Sequence, residues 1–290
     1  MEHAVNLAVF IPTYENDELL HSCLESIGRF IGLKSPSVVI LDDSETDIVS
    51  IFITSYKDDG RIRVQYHPRS RDNKTSHIEN WNRMFDIIEI SPSIEWFQLR
   101  HHDDQLKSMH KRDIFFSTLA SHECDLVITP IVKRVMKLGC FEINRYHCHP
   151  WLLKHMLYLN PEILYFFNYI GPTASLWIRK DSNISRIRFD SSLIWLVDCN
   201  WYSRILMAAR EKRIKVVPGM QTVSMPNSSS ITSWLSTRNM KSLVHKELAI
   251  VMPKSRKHYR LKVLTIASCL KAVNWICILL APIIVKQSDD

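Results

Sequence analysis

Glycine is nearly missing from this chain, six residues in 290, and none of them builds a GxGxxG turn or a GxxxxGKS/T loop. That excludes a dinucleotide fingerprint and a P-loop, so any nucleotide has to be held by side chains and a metal ion. Paired cysteines are missing as well. The seven present, Cys23, Cys124, Cys140, Cys148, Cys199, Cys269 and Cys277, form an odd, scattered set with no CxxC, and no charged start followed by an apolar stretch opens the chain. Both observations lead to the expectation of a reducing cytoplasm. Acids are scarce in one segment. Arg238 to Lys271 carries nine Lys/Arg against the single acid Glu247, enough to account for the formal charge of +7 and leave the rest close to neutral. Few aromatics interleave with those charges, which argues against nucleic acid as the partner. The apolar run Leu261 to Val285 is broken by Lys262, Lys271, Asn274 and Pro282. Its charge-free part, Ala272 to Val285, falls short of the roughly 20 residues of a spanning helix. The expectation is an interfacial helix beside a basic patch, holding the protein peripherally on the anionic inner face of the cell membrane. A C-terminal helix buried against the domain is the alternative.

What is present is an alternation of strand and helix. The apolar run Leu7 to Ile11 precedes a helix over Glu18 to Ile31, apolar at Leu19, Leu20, Cys23, Leu24, Ile27, Phe30 and Ile31. Val38 to Leu41 reads as a strand covered on both faces, Ile62 to Tyr66 as another. A helix with the stripe Ile78, Trp81, Phe85 and Ile88 then leads to the strand Trp96 to Leu99. This is the pattern of an α/β fold with a doubly wound, mostly parallel central sheet and helices on both faces. Right-handed crossovers place the carboxyl ends of such strands on one edge. Thr13, Tyr14, Asp42, Asp43, Asp103 and Asp104 are therefore expected to converge. The adjacent carboxylates Asp103 and Asp104 repel unless something neutralises them. A Mg²⁺ or Mn²⁺ ion bridging to phosphates does so; capping a following helix is the other reading. Leu126 to Thr129, Ser175 to Ile178 and Ile214 to Val217 read as further strands. Between Lys133 and Asn168 the pattern gives way to Cys140, His147, Cys148, His149, Trp151, His155 and many aromatics. That set suits an acceptor-facing surface or core packing and fits no usual zinc spacing.

Phe10-Ile11-Pro12-Thr13-Tyr14, a leucine-rich helix, and Val39-Ile40-Leu41-Asp42-Asp43-Ser44-Glu45-Thr46-Asp47 together resemble the opening of glycosyltransferase family 2, with its GT-A (Rossmann-like) fold. The family's Asp-Asp-Gly-Ser-Thr-Asp string is matched except at Ser44 and Glu45. Asn80-Trp81-Asn82 ahead of Trp96 to Leu106 is similar to the approach to the family's metal motif, and the resemblance covers Leu7 to Leu206. It implies that Pro12, Thr13, Tyr14 and Asp42 hold the nucleotide, with Asp43 and Asp104 beside them. A carboxylate can accept the imide N–H of a uracil-like ring, and an aromatic face can cover it. The family's Asp-x-Asp motif falls on His101-His102-Asp103, so Asp103 is the surviving metal ligand with His101 beside it. That pair suits Mn²⁺ better than Mg²⁺. Arg71 and Lys74 either face a diphosphate or are solvated surface. After the turn at Gly171, Asp198 occupies the place of the family's general base, with Val197 before it where Glu is common; a plain helix cap is the alternative. The Gln221 to Thr232 loop offers only amide and hydroxyl donors where relatives often place a basic or imidazole group.

The resemblance thus implies an inverting glycosyltransferase acting in O-antigen- or capsule-like polysaccharide synthesis. It would move a sugar from a nucleoside-diphosphate donor, UDP-type favoured, to a hydroxyl of a glycan or lipid-linked acceptor. A catalytically impaired scaffold of a membrane assembly complex and a metal-dependent nucleotidyltransferase are the rivals. The expected layout is a GT-A domain over 1–235, nucleotide-sugar half 1–104 and acceptor half 105–235, followed by a basic, apolar helical appendage over 236–290.

Overall fold

Leu7–Thr13 (β1) is apolar almost throughout and buried at every position, the mark of a strand walled in on both faces. The computed structural model describes residues 5–31, 36–56, 60–69, 76–109, 112–138, 141–209, 213–217, 220–224, 237–252, 257–280 and 283–286. After β1 come Asp17–Ile31 (α1), Ser37–Asp42 (β2), Ile48–Ser55 (α2), Arg63–His67 (β3), His77–Ile90 (α3) and Trp96–Leu99 (β4). Asp104–Met109 (β5), Arg112–Ala120 (α4), Leu126–Ile128 (β6), Val132–Leu138 (β7), Phe141–Tyr146 (β8), Pro150–Met156 (α5) and Leu176–Arg179 (β9) form the middle. Val197–Ala208 (α6), Ile214–Val216 (β10), Met220–Ser224 (β11), Thr237–Val251 (α7), Lys257–Leu280 (α8) and Ile283–Lys286 (β12) complete the chain.

Seven strands form the central sheet in the order β10-β6-β9-β4-β1-β2-β3. All neighbours run parallel except β9, which is antiparallel to both β4 and β6. The period of two along each strand sends alternate side chains to opposite layers. Ala8, Phe10, Val39, Leu41, Phe97 and Leu99 join the core under α3, while Leu7, Val9, Ile11, Val38, Ile40 and Trp96 join the core under α1 and α4. The α1 stripe Leu20, Cys23, Leu24, Ile27 and Ile31 is fully buried, as its spacing predicts. Helix α3 starts where Ser76 and Glu79 form a reciprocal capping box.

Three expectations change. No helix follows Asp103 and Asp104: Asp104 opens β5, which pairs antiparallel with β11, so the helix-cap reading is replaced by a strand start. The described residues of the stretch Lys133 to Asn168 hold the antiparallel pair β7 and β8, α5 and a 3₁₀ turn at Pro161–Tyr165. Leu152, Leu153, Met156, Leu164 and Phe167 enter the main core, so much of its apolar content is packing. The apolar C-terminus is not one helix to Val285; α8 ends at Leu280 and Ile283–Lys286 returns as a strand against β8.

Candidate active site

The carboxyl ends of β1 and β2 lie side by side, Thr13 paired with Asp42. Their loops are laced together. The Asp43 N–H donates to Thr13 O at 3.0 Å, the Glu15 N–H donates to Ser44 Oγ at 2.8 Å, and the Glu15 carboxylate accepts the N–H groups of Glu45 and Thr46 at 2.7 Å each. Burial pulls the Glu15 carboxyl up, yet these bonds with the Thr46 hydroxyl hold it below its ordinary value. Asp42 is occupied within the loop: Ser44 donates through its N–H (3.0 Å) and hydroxyl (2.6 Å), and the Tyr66 hydroxyl donates at 2.7 Å. Its carboxylate is thus engaged within the turn, and Asp42 is not among the residues that line the cleft. Its neighbour Asp43 faces the cleft, in an ion pair with Arg69 at 3.1 Å. Burial raises the Asp43 carboxyl, opposed by Arg69 and Arg83. Tyr14, 46% exposed, stands in the cleft lining.

From β4 the chain turns through His101, His102 and Asp103, and the turn is closed by the Asp104 N–H on His101 O at 3.0 Å. The ring of His101 meets Trp81 edge-on, centroids 4.9 Å apart, and His102 Nδ1 lies 3.3 Å from Pro12 O. Burial lowers the pKa of His102, opposed by Asp103. Asp104 differs from its neighbour: it is 1% exposed and sits against the fully buried Arg100, whose Nη1 donates to Asp104 O at 3.3 Å. Arg100 also donates to Gln98 (3.0 Å) and to Thr222 of β11 (3.3 Å), so the base of the turn is braced from below.

Opposite this turn stands α6. Asp198 is its second residue, not its cap; the cap position is Leu196, whose side chain has no oxygen to offer. The loop that enters the helix is held instead from α7. Glu247, 2% exposed, accepts the N–H groups of Ile194 (2.7 Å), Trp195 (3.1 and 3.2 Å) and Leu196 (2.7 Å). Burial raises the pKa of Asp198, and the charge of His101 opposes the rise. Burial likewise lowers His77, at the start of α3, and His101 adds to that. The charge of His101 thus bears on both His77 and Asp198.

One cleft of about 790 Å³ gathers these groups: Pro12, Thr13, Tyr14, Asp43, His77, His101, His102, Asp103, Asp104 and Asp198, with Leu164, Phe166 and Trp195 as apolar wall. Of the residues singled out in the sequence, Asp42 alone among the described ones stands outside the lining; Arg71 and Lys74 fall outside the described residues. Four polar atoms on this lining, Thr13 Oγ1, His77 Nε2, His102 Nε2 and Asp198 Oδ1, are buried and have no hydrogen-bond partner among the described residues. Buried orphans clustered in one cleft are what a polar ligand would satisfy. No group of three or more His, Cys, Asp or Glu is arranged to hold a metal among the described residues. The donors that face the cleft, Asp103 and His101, suit an ion of the Mn²⁺ or Mg²⁺ kind that takes its remaining ligands from phosphates and water. His77, Arg69 and Glu247 were missed in the sequence. Glu247 alone carried a signal, as the sole acid of a basic segment.

No protein-family model matches the sequence, and neither does any curated protein. Solved structures match the fold. Residues 1–349 of TarS from S. aureus give a TM-score of 0.51 at 15% identity, over 76% of this chain and 60% of that one. The same TarS piece in complex with UDP-GlcNAc gives 0.55 at 14% identity, over 90% and 70%. Its complex with UDP gives 0.51 at 14%, again over 90% and 70%. A longer TarS chain is matched over only 37% of its length. The architecture is a GT-A-like glycosyltransferase fold.

Proposed function

We propose that the protein is an inverting glycosyltransferase of the family 2 kind. It moves a sugar from a nucleoside-diphosphate donor, UDP-type favoured, to a hydroxyl of a glycan or lipid-linked acceptor in polysaccharide synthesis. The observation that carries this reading is that Asp198 shares one cleft with Thr13, Tyr14, Asp43 and Asp103. The TarS structures with UDP-GlcNAc and UDP, alike in fold, support it.

In this reading Tyr14 covers the base, and Thr13 and Asp43 take the ribose hydroxyls, with Arg69 holding Asp43 in place. Asp103, with His101, would hold Mn²⁺ or Mg²⁺ on the diphosphate; when bound, the ion offsets the charge of the leaving group. Asp198 accepts the proton of the acceptor hydroxyl as its oxygen attacks the anomeric carbon. The bond from that carbon to the phosphate oxygen breaks on the opposite face, and the nucleoside diphosphate leaves. Burial of Asp198 brings its pKa nearer the working pH, which strengthens it as a base. The apolar wall of Leu164, Phe166 and Trp195 limits competing water.

The test is a screen of sugar nucleotides with Mn²⁺ and candidate acceptors, reading nucleoside diphosphate release. Asp198→Asn is expected to lose roughly 10²–10⁴ in turnover while still binding donor. Asp103→Asn is expected to lose metal-assisted donor binding as well. Release of pyrophosphate would replace this reading with nucleotidyl transfer, and a protein that binds no nucleotide would leave a scaffold.

A further inference from the structure

Within α8, His258–Leu279 is long and apolar enough, by length and composition, to cross a membrane. Its contacts within the fold oppose crossing. At its start Tyr259 is hydrogen-bonded to Asn160, and Arg260 donates to Leu248 O of α7. One helical stripe then lies against the domain, with Val263 2% and Ala267 1% exposed. Near the far end, Asn274 accepts the His149 N–H at 3.0 Å and donates to His147 O at 3.1 Å. Beyond it β12 pairs with β8. A helix of this length reaches about 36 Å at 1.5 Å per residue. Were it to span a bilayer, Asn274 would face hydrocarbon unpaired, its two backbone partners would lose it, and β12 would be carried to the side away from β8.

The opposite side of the same helix is bare. Leu261, Leu264, Trp275, Ile276 and Leu279 are 43% to 63% exposed, and a 100° step per residue puts them away from the docked stripe. The exposed cation Lys262 sits near the helix start, with Lys254, Arg256 and Lys257 just before it in sequence. We propose that this face docks on an anionic lipid surface with α8 lying in the plane of the interface, so that the protein is monotopic. A second copy of the chain is the poorer occupant, because pairing these faces would press two segments rich in Lys and Arg together. The proposal stands apart from the transfer chemistry, and its test needs neither donor nor acceptor.

The full chain is sedimented with vesicles of phosphatidylcholine alone or mixed with phosphatidylglycerol, at low and high salt. Binding is expected to need the anionic lipid and to weaken with salt, and Lys262→Gln is expected to weaken it by about fivefold. Ile276→Glu and Leu279→Glu are each expected to weaken it by roughly tenfold or more. Trp275→Phe is expected to abolish the emission that brominated lipid quenches, and alkaline washing to release the bound protein. Resistance to alkali would overturn the in-plane arrangement in favour of a span. Failure of the folded wild type to bind vesicles would overturn the lipid surface altogether. So would a dimer in solution that Ile276→Glu dissociates without any effect on vesicle binding.

Discussion

Asp198 stands in the first turn of α6, where the helix dipole favours its anion, yet burial works the other way and prevails. A carboxyl whose pKa is raised on folding adds stability at low pH and loses it as pH rises through the folded value. At neutral pH its ionised form is therefore a burden on the fold. Asp198→Asn is expected to remove most turnover while leaving the melting temperature unchanged or higher, read by calorimetry beside the kinetics; a fall in both would make the residue structural. The acid limb of kcat/KM follows the same group, since the base must be ionised. His101 holds the Asp198 pKa down, so His101→Ala is expected to shift that limb to higher pH. A limb that stays in place would remove His101 as the partner. Individual residues were unevenly legible. Asp103, Tyr14 and Asp198 could be placed near one rim from their positions at strand and helix ends, and all three line the cleft. The choice between Asp42 and Asp43 could not be made, because Ser44 and Tyr66 decide it through bonds that only the folded loops create. Ser44 stands where family 2 has glycine, and the backbone accepts it: among the described residues other than glycine, only Glu15 and His122 have positive φ.

Helix α6 lacks a side-chain cap, and the loop that enters it is held by a carboxylate 51 residues downstream of Leu196, in a different helix. Bonds from several backbone N–H groups to one buried carboxylate are charge-assisted and orient the turn that carries Asp198. Glu247→Ala strands those donors and is expected to cost about 1–3 kcal/mol, read as a shift in the denaturation midpoint. Turnover is expected to fall with donor affinity nearly unchanged, and Glu247→Gln to restore part of both losses. If donor affinity falls in step with turnover, the carboxylate serves the fold as a whole and not the base. Elements with a strict apolar period, β1, β2, β4, α1 and α3, could be read from the chain because each buries its own face. Strand β5 could not. Asp104-Gln105-Leu106-Lys107-Ser108-Met109 is mostly polar, and its partner β11 lies more than a hundred residues away. Its opening carboxylates accordingly looked like a helix cap.

The charge map of the chain suggests a basic appendage, and the contacts tie its helices to the domain. Met252, Val263 and Ala267 belong to the same core cluster as Phe10, Phe97 and Trp201. Asn274 ties α8 to the start of α5, and Glu247 ties α7 to the site. The docking stripe was hidden in the sequence because it runs through a helix that is apolar nearly all round, so no face stands out by period. A polar residue, Asn274, also forms part of it. A chain ended at residue 236 would expose the core beneath α8 and leave the N–H groups of Ile194, Trp195 and Leu196 without their acceptor. It is expected to aggregate or melt without a cooperative transition, and to have no transferase activity. Size-exclusion chromatography and calorimetry of the shortened protein decide the point. A soluble 1–236 fragment that unfolds cooperatively and keeps its turnover would show the C-terminal helices to be a separable attachment, with the site complete without Glu247.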